Sequence, residues 1–92
     1  MIDQIKSLVL PILIQNGASS VSIFGSVARN QAKEGSDLDL YVEFKKKPGL
    51  FKIVSIQAEL EKKTGRKVDL VTKINKFMLP YIKPDLTTIY EQ

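Results

Sequence analysis

Residues 37–44 alternate strictly between polar and apolar side chains, and this alternation constrains the fold more than any other feature of the chain. Successive side chains of a β-strand point to opposite faces, so the spacing predicts a strand with one buried and one solvated face. The apolar face carries Leu38, Leu40, Val42 and Phe44, and the polar face carries Asp37, Asp39, Tyr41 and Glu43. Such a strand needs other elements packed over its apolar face.

Helical and strand-like patterns alternate along the rest of the chain. Apolar residues recur at helical spacing in residues 2–16 and 50–64, and the second helix is expected to end at Gly65. Pro11 is expected to kink or divide the first helix, because its ring cannot continue the hydrogen-bond ladder. The remaining predictions are a strand over 21–24, a brief helix over 26–31, a turn over 33–35, a strand over 67–72 and short helical segments over 73–92.

This order of elements predicts an α/β (α+β) fold in a single domain, residues 1–92, with a small mixed β-sheet of about three strands flanked by helices. The helix over 50–64 is long enough to join the second and third strands in parallel. The link between the first and second strands is short, so these two are expected to be antiparallel. The end of the first strand and the start of the second then lie at the same edge of the sheet.

The composition removes several kinds of chemistry. The chain has no cysteine and no histidine, which excludes disulfides, Cys/His zinc sites, thiol nucleophiles and histidine acid–base catalysis. Carboxylates, hydroxyls, lysine and arginine remain. Oxygen ligands of this kind suit Mg²⁺ or Mn²⁺. The lack of cysteine also fits a reducing cytoplasm.

The charge and hydropathy patterns exclude a membrane span and do not favour a nucleic-acid partner. The apolar run at residues 8–14 is too short to span a bilayer, so a soluble, cytoplasmic protein is expected. The net charge is +4, and its densest basic run, Lys45 to Lys47, precedes a predicted turn and is interpreted as a solvated loop. No aromatic residues are interleaved with these lysines, so nucleic-acid binding is not expected.

Gly25 and Ser26 stand where the first strand passes into a helix. The free backbone N–H groups and partial positive charge of a helix start suit a phosphate group, and glycine lets a ligand approach the backbone closely. The plainer interpretation is that Ser26 only caps the helix. The pair alone leaves both interpretations open.

Three aspartates form the second candidate cluster. Asp37 and Asp39 lie two residues apart on one strand, so both carboxylates face the same side, where a divalent cation would relieve their repulsion. Asp69 interrupts an apolar strand pattern, and a buried carboxylate needs a partner. One alternative is that the first two simply line a wet face. Another is that Asp69 forms an ion pair with Arg66 or Lys67.

Three short motifs carry a family resemblance. Residues 25–29 read Gly-Ser-Val-Ala-Arg, residues 36–40 read Ser-Asp-Leu-Asp-Leu, and residues 68–70 read Val-Asp-Leu. Their order and spacing resemble the signature of the polymerase-β-like nucleotidyltransferase superfamily, and the short chain is similar to its minimal nucleotidyltransferases. One departure is Asn30, where many relatives carry glycine.

The resemblance implies a nucleotidyltransferase fold and a binding site for an NTP, with ATP the expected substrate. It implies that Gly25 and Ser26 bind the NTP phosphates and that Ser36 assists them. Arg29 matches a basic position of the motif, and it either reaches a phosphate or pairs with an acid.

The resemblance further implies that Asp37, Asp39 and Asp69 are the catalytic residues and the metal ligands, holding two Mg²⁺ or Mn²⁺ ions. Asp69 would also favour deprotonation of the attacking hydroxyl. The expected reaction transfers a nucleoside monophosphate to that hydroxyl and releases pyrophosphate.

Minimal nucleotidyltransferases of this kind pair with helical HEPN-domain toxins in prokaryotic toxin–antitoxin modules. The resemblance therefore implies an antitoxin that transfers AMP to a tyrosine of its toxin, in a homo- or hetero-oligomer. Two alternatives stay open. One is a catalytically silent antitoxin that inhibits its partner by binding alone. The other is a nucleic-acid-binding module, which rests on the mild basicity alone.

Overall fold

The computed structural model describes residues 2–29 and 36–92, which form a four-stranded mixed sheet of order β3-β2-β1-β4. In chain order the elements are α1 (Ile2–Gln15), β1 (Ala18–Phe24), α2 (Gly25–Ala28), β2 (Leu38–Phe44), α3 (Leu50–Thr64), β3 (Val68–Val71), α4 (Leu79–Ile82), a 3-10 helix (Lys83–Asp85) and β4 (Thr87–Glu91). The predicted mixed sheet flanked by helices is confirmed, with one strand more than expected. The whole predicted turn over 33–35 and the end of the predicted brief helix over 26–31 lie outside the described residues.

The expected strand directions are confirmed. β1 and β2 are antiparallel, with Phe24 opposite Asp39, whereas β2 and β3 are parallel, with Asp39 opposite Asp69. The α3 crossover makes the parallel pairing possible, and α3 ends at Gly65 in the left-handed conformation, as its sequence predicts. The end of β1 and the starts of β2 and β3 therefore share one edge of the sheet.

The core lies between one face of the sheet and the helices α1 and α3. The apolar face of β2 is fully buried through Leu38, Leu40 and Val42. The helices cover it with Ile5, Val9, Ile12 and Leu13 of α1 and Ile56 and Leu60 of α3. Within residues 2–29 and 36–92, no helix is both long and apolar enough to cross a membrane.

α1 is one continuous helix although Pro11 lies inside it, so of the two expected outcomes, a kink or a division of the helix, the division is not observed. The Pro11 side chain is exposed, and burial of four neighbouring apolar residues holds the turns on both sides of it against the core. Packing of the apolar face outweighs the loss of one backbone hydrogen bond.

β4 was not expected, because the segment after β3 was assigned to short helical pieces alone. The helical pieces exist as α4 and the 3-10 helix, but Thr87–Glu91 pairs with β1 as an antiparallel edge strand. Its burial pattern lacks clear alternation, with both threonines exposed and Ile89 and Tyr90 half-buried. An edge strand of this kind is stabilised by its neighbour's hydrogen bonds and leaves little periodic signal in the sequence.

The connection from β3 to β4 crosses the sheet. α1 and α3 cover one face, and the end of this connection lies on the other face, where Leu86 borders a cavity with Ser22 and Tyr41. The end of this connection therefore borders the polar face of β2.

Candidate active site

The carboxylates of Asp39 and Asp69 lie on the same face of the sheet, because the two residues are partners in the parallel pairing of β2 and β3. Asp37 precedes β2 at the same edge. Asp39 is half-buried, whereas Asp37 and Asp69 are exposed. The structure thus places the three aspartates that the sequence singles out at one edge of the sheet, with Asp39 and Asp69 in register. The expectation that Asp69 is buried is wrong, because β3 is an edge strand whose outer side faces solvent.

Asp39 is the electrostatic centre of this edge. Burial raises the pKa of its carboxyl, and the negative charges of Asp69 and Asp37 raise it further. The positive charge of Arg29 lowers the same pKa. A site that holds a second and third negative charge near a partly buried carboxylate favours a bound cation.

Gly25 contacts this carboxylate directly. Its backbone has φ +74°, in the left-handed region, and a Cβ built on it would overlap Asp39 Oδ2 and lie 3.2 Å from Asp39 Cγ. The end of β1 can reach the carboxylate because residue 25 has no side chain. Ser26 follows in the first turn of α2 and is half-buried.

Arg29 ends α2 and donates a hydrogen bond from one guanidinium nitrogen to Asp85 Oδ2 at 2.7 Å. Of the two roles left open for Arg29, pairing with an acid is therefore observed. The ion pair joins α2 to the 3-10 helix that precedes β4. Arg29 is also near enough to lower the pKa of Asp39, so it contributes positive charge to the same edge.

The residues that hold the aspartates in place were not found from the sequence. Arg66 donates a hydrogen bond to the Ser36 carbonyl at 2.9 Å, and the Leu38 N–H donates to the Lys67 carbonyl at 2.8 Å. Glu61 Oε2 accepts the Val68 N–H at 2.9 Å. These contacts join the end of α3 and the following turn to the starts of β2 and β3, from which the three aspartates project. They link residues far apart in sequence, so local patterns give no signal for them.

The donor set fits Mg²⁺ or Mn²⁺, because every candidate ligand is a carboxylate oxygen. Within the part of the chain that the structure describes, no three acidic side chains are already gathered into a metal-holding group. Two of the three carboxylates are exposed and can rotate about their side-chain torsions. The backbone therefore places the ligands on one face, and their final approach depends on side-chain rotation.

The comparison with known sequences decides the family. The sequence profile of the nucleotidyltransferase domain matches residues 6–88. The chain belongs to this nucleotidyltransferase family. The resemblance carried by the three motifs is thereby confirmed, and the protein is an enzyme of the nucleotidyltransferase class.

Individual relatives of this nucleotidyltransferase agree with the family match. MJ0435 of Methanocaldococcus jannaschii, provisionally named a protein adenylyltransferase, is 45% identical over 71 residues, which cover 77% of this chain and 76% of MJ0435. A solved structure provisionally described as a minimal nucleotidyltransferase is 31% identical, with a TM-score of 0.75 and coverage of 96% of this chain and 90% of that one.

The fold is also similar to a chain in the complex of a tri-AMPylated Shewanella oneidensis HEPN toxin with its MNT antitoxin. That match has a TM-score of 0.79 and 14% identity, and covers 100% of this chain and 74% of the other. At this identity the likeness concerns the fold alone.

Replacing Arg66 is expected to slow nucleotidyl transfer, although Arg66 has no proposed contact with the substrate. Arg66→Ala removes the hydrogen bond to the Ser36 carbonyl, so the segment carrying Asp37 loses one of its fixed points. We expect kcat to fall about tenfold with little change in the KM for NTP. The matched control is Lys67→Ala, because Lys67 contributes its backbone carbonyl to Leu38 and keeps it after substitution. An Arg66→Ala variant with wild-type kcat would show that the contact does not position Asp37.

Proposed function

We propose that this nucleotidyltransferase transfers AMP from ATP to the hydroxyl of a tyrosine on a helical HEPN-type toxin, and that it acts as an antitoxin. The observation that carries the proposal is the register of Asp39 with Asp69, with Gly25 packed against the Asp39 carboxylate. The adenylyltransferase name of a relative and the AMPylated toxin in a complex of similar fold support the choice of AMP and of a protein acceptor.

In the proposed site, Asp37, Asp39 and Asp69 would hold two Mg²⁺ or Mn²⁺ ions. Such ions would supply positive charge that neutralises the phosphates and the leaving pyrophosphate. Asp39 would be one of the residues that hold the ions, because it is the most buried of the three and the negative charges of the other two act on it. Rotation of the exposed Asp37 and Asp69 side chains completes the ligand set.

Binding of the NTP is assigned to the end of β1 and the start of α2. Gly25 has no side chain to obstruct a phosphate, and the Ser26 hydroxyl donates a hydrogen bond to it. Ser36, which directly precedes Asp37, assists them. Arg29, held by Asp85, adds positive charge beside Asp39 without needing to touch the phosphate.

The reaction itself is an attack of the acceptor oxygen on the α-phosphorus. The new O–P bond forms as the bond to the pyrophosphate oxygen breaks, and the hydroxyl proton passes toward the Asp69 carboxylate. Asp69 suits this role because it is exposed at the edge of the sheet, where an acceptor can approach. Orientation and charge neutralisation account for most of the catalysis.

The partner protein is proposed to dock on the connection between β3 and β4. Phe77, Met78 and Tyr81 are exposed there, although large apolar side chains are costly to leave in water. The connection ends in the 3-10 helix, and the Arg29–Asp85 ion pair joins this helix to α2, beside the edge of the sheet that carries the three aspartates. A protein seated on it can therefore present a hydroxyl to the carboxylates.

The test is a transfer assay with a helical HEPN-type protein encoded beside this chain. With ATP and Mg²⁺, mass spectrometry should show one or more AMP units on a partner tyrosine, together with released pyrophosphate. EDTA should abolish the transfer, and so should the Asp37→Asn, Asp39→Asn double variant. If no NTP gives a mass shift and the double variant still suppresses toxicity, the protein is instead a silent antitoxin that acts by binding alone.

A further inference from the structure

Positive charge is strongly segregated along this chain. Residues 44–58 and 70–84 contain seven lysines (45, 46, 47, 52, 73, 76 and 83), half of the 14 basic residues, and none of the 10 acidic ones. The two segments follow β2 and β3 directly. All three candidate catalytic aspartates precede or begin these same two strands.

Because β2 and β3 are parallel, this segregation along the chain places acidic residues at one edge of the sheet and basic residues at the opposite edge. Parallel strands start at one edge and end at the other, so the aspartates gather at the starting edge and most of these lysines follow the opposite edge. A strand of seven residues separates the two edges by about 20 Å. A ligand of the basic edge is therefore not a ligand of the catalytic carboxylates.

At the basic edge, Lys47 and Lys73 border one pocket of about 310 Å³, together with Pro48, Thr72 and Glu43. The two ammonium groups are close enough that Lys73 lowers the pKa of Lys47. Glu43 supplies one carboxylate on the rim, but its Oε1 accepts a hydrogen bond from the Tyr41 hydroxyl. Two cations facing one pocket favour an anionic occupant.

Two highly exposed aromatic residues follow the lysine pair in the sequence. Phe51 follows Lys47 by four residues and is 91% exposed, and Phe77 follows Lys73 by four residues and is 76% exposed. Lys76 Nζ lies 5.6 Å from the centre of the Phe77 ring. The Lys45 to Lys47 run itself contains no aromatic residue, but one exposed ring follows the end of β2 and another follows the end of β3, as the lysines do.

We propose that this edge, comprising Lys45 to Lys47, Lys73, Lys76, Phe51 and Phe77, binds single-stranded nucleic acid. Lysines that neutralise phosphates beside exposed rings on which bases stack are the chemistry that single-strand binding requires. An acidic protein surface would satisfy the lysines, but it would not use the flat faces of two highly exposed rings as fully. The proposal does not depend on the AMP-transfer function.

The test measures fluorescence anisotropy with labelled oligouridylate and oligothymidylate of about 15 nucleotides. Binding should weaken with salt, and the Lys47→Gln, Lys73→Gln double variant should reduce the slope of log K against log salt by about 1.4. Phe51→Ala and Phe77→Ala should each weaken binding about tenfold, because each removes one stacking surface. Equal binding of the two oligonucleotides would mean that the site recognises the phosphates and bases that RNA and DNA share. Tighter binding of the RNA would mean that the site also contacts the 2′-hydroxyl groups. Both results support the proposal.

The matched control is the Lys62→Gln, Lys63→Gln double variant, which removes the same charge from the last turn of α3 and should bind within about twofold of wild type. AMP transfer should be unchanged in Phe51→Ala and in the Lys62→Gln, Lys63→Gln variant, because only Lys73 and Phe77 lie on the β3–β4 connection where the partner protein is proposed to dock. The proposal is overturned if neither oligonucleotide binds at low salt, or if the control variant loses as much affinity as the Lys47, Lys73 variant. It is also overturned if a polyglutamate peptide of equal length displaces the oligonucleotide as well as unlabelled RNA does, since an acidic protein is then the partner.

Discussion

Asp39→Asn is expected to lower the rate of AMP transfer on the order of a thousandfold while the protein stays folded. Asp39 is the partly buried carboxylate on which the charges of Asp37 and Asp69 converge, so its loss removes the centre of the proposed metal site. Its side chain lies on the polar face of β2, away from the core formed by Leu38 and Leu40. Pyrophosphate release and partner mass, measured with ATP and Mg²⁺, report the loss.

The same substitution should leave the thermal stability of the protein unchanged or raise it slightly. Because the folded pKa of Asp39 is raised above 3.8, the folded state binds its proton more tightly than the unfolded state does. The free energy of unfolding therefore falls as pH rises from 3.8 through the raised folded pKa. Without metal at pH 7, Asp39→Asn should show a Tm equal to or slightly above wild type, and the difference should vanish at lower pH. A strongly lowered Tm at pH 7 would mean that Asp39 is structural.

Glu43→Gln is the matched control for Asp39→Asn. Glu43 lies on the same face of β2, four residues further along the strand, and the substitution removes the same charge. Since Glu43 stands at the opposite end of the strand, AMP transfer should stay within about twofold of wild type. Equal losses in the two variants would show that the effect comes from net charge and not from a metal site.

Gly25→Ala is expected to lower kcat on the order of a hundredfold. The added Cβ would overlap Asp39 Oδ2, so either β1 or the carboxylate must move, and a displacement of about 1 Å at a reacting centre can cost that much. The left-handed φ of +74° also destabilises alanine here by about 1–2 kcal/mol. Transfer kinetics and a urea unfolding curve separate the two effects.

Gly17→Ala separates backbone strain from displacement of the carboxylate. Gly17 also has a positive φ, +90°, but a Cβ there meets nothing within 4 Å. It lies between α1 and β1, at the edge of the sheet away from the aspartates. This variant should lose stability comparable to Gly25→Ala and keep nearly all of its activity. Full activity in Gly25→Ala would contradict the close approach of β1 to Asp39.

Much of the fold follows from local patterns. The alternation in β2, the helical spacing of α1 and α3, and the glycine that ends α3 predict those elements because each reflects burial or backbone preference within a few residues. The length of α3 and the short link after β1 predict the strand directions. β4 had no comparable signal, since pairing with β1 stabilises it at an edge.

By itself, the sequence determined which residues carry the chemistry: three aspartates on two strands, a Gly-Ser at a strand end, and no cysteine or histidine. The tertiary structure alone decided their relations. It set Asp39 beside Asp69, Gly25 against the Asp39 carboxylate, Arg29 on Asp85, and the lysines at the edge opposite the aspartates. The physical reason is that side-chain periodicity reports which way a residue faces, whereas register and hydrogen bonds between distant segments depend on how the elements pack.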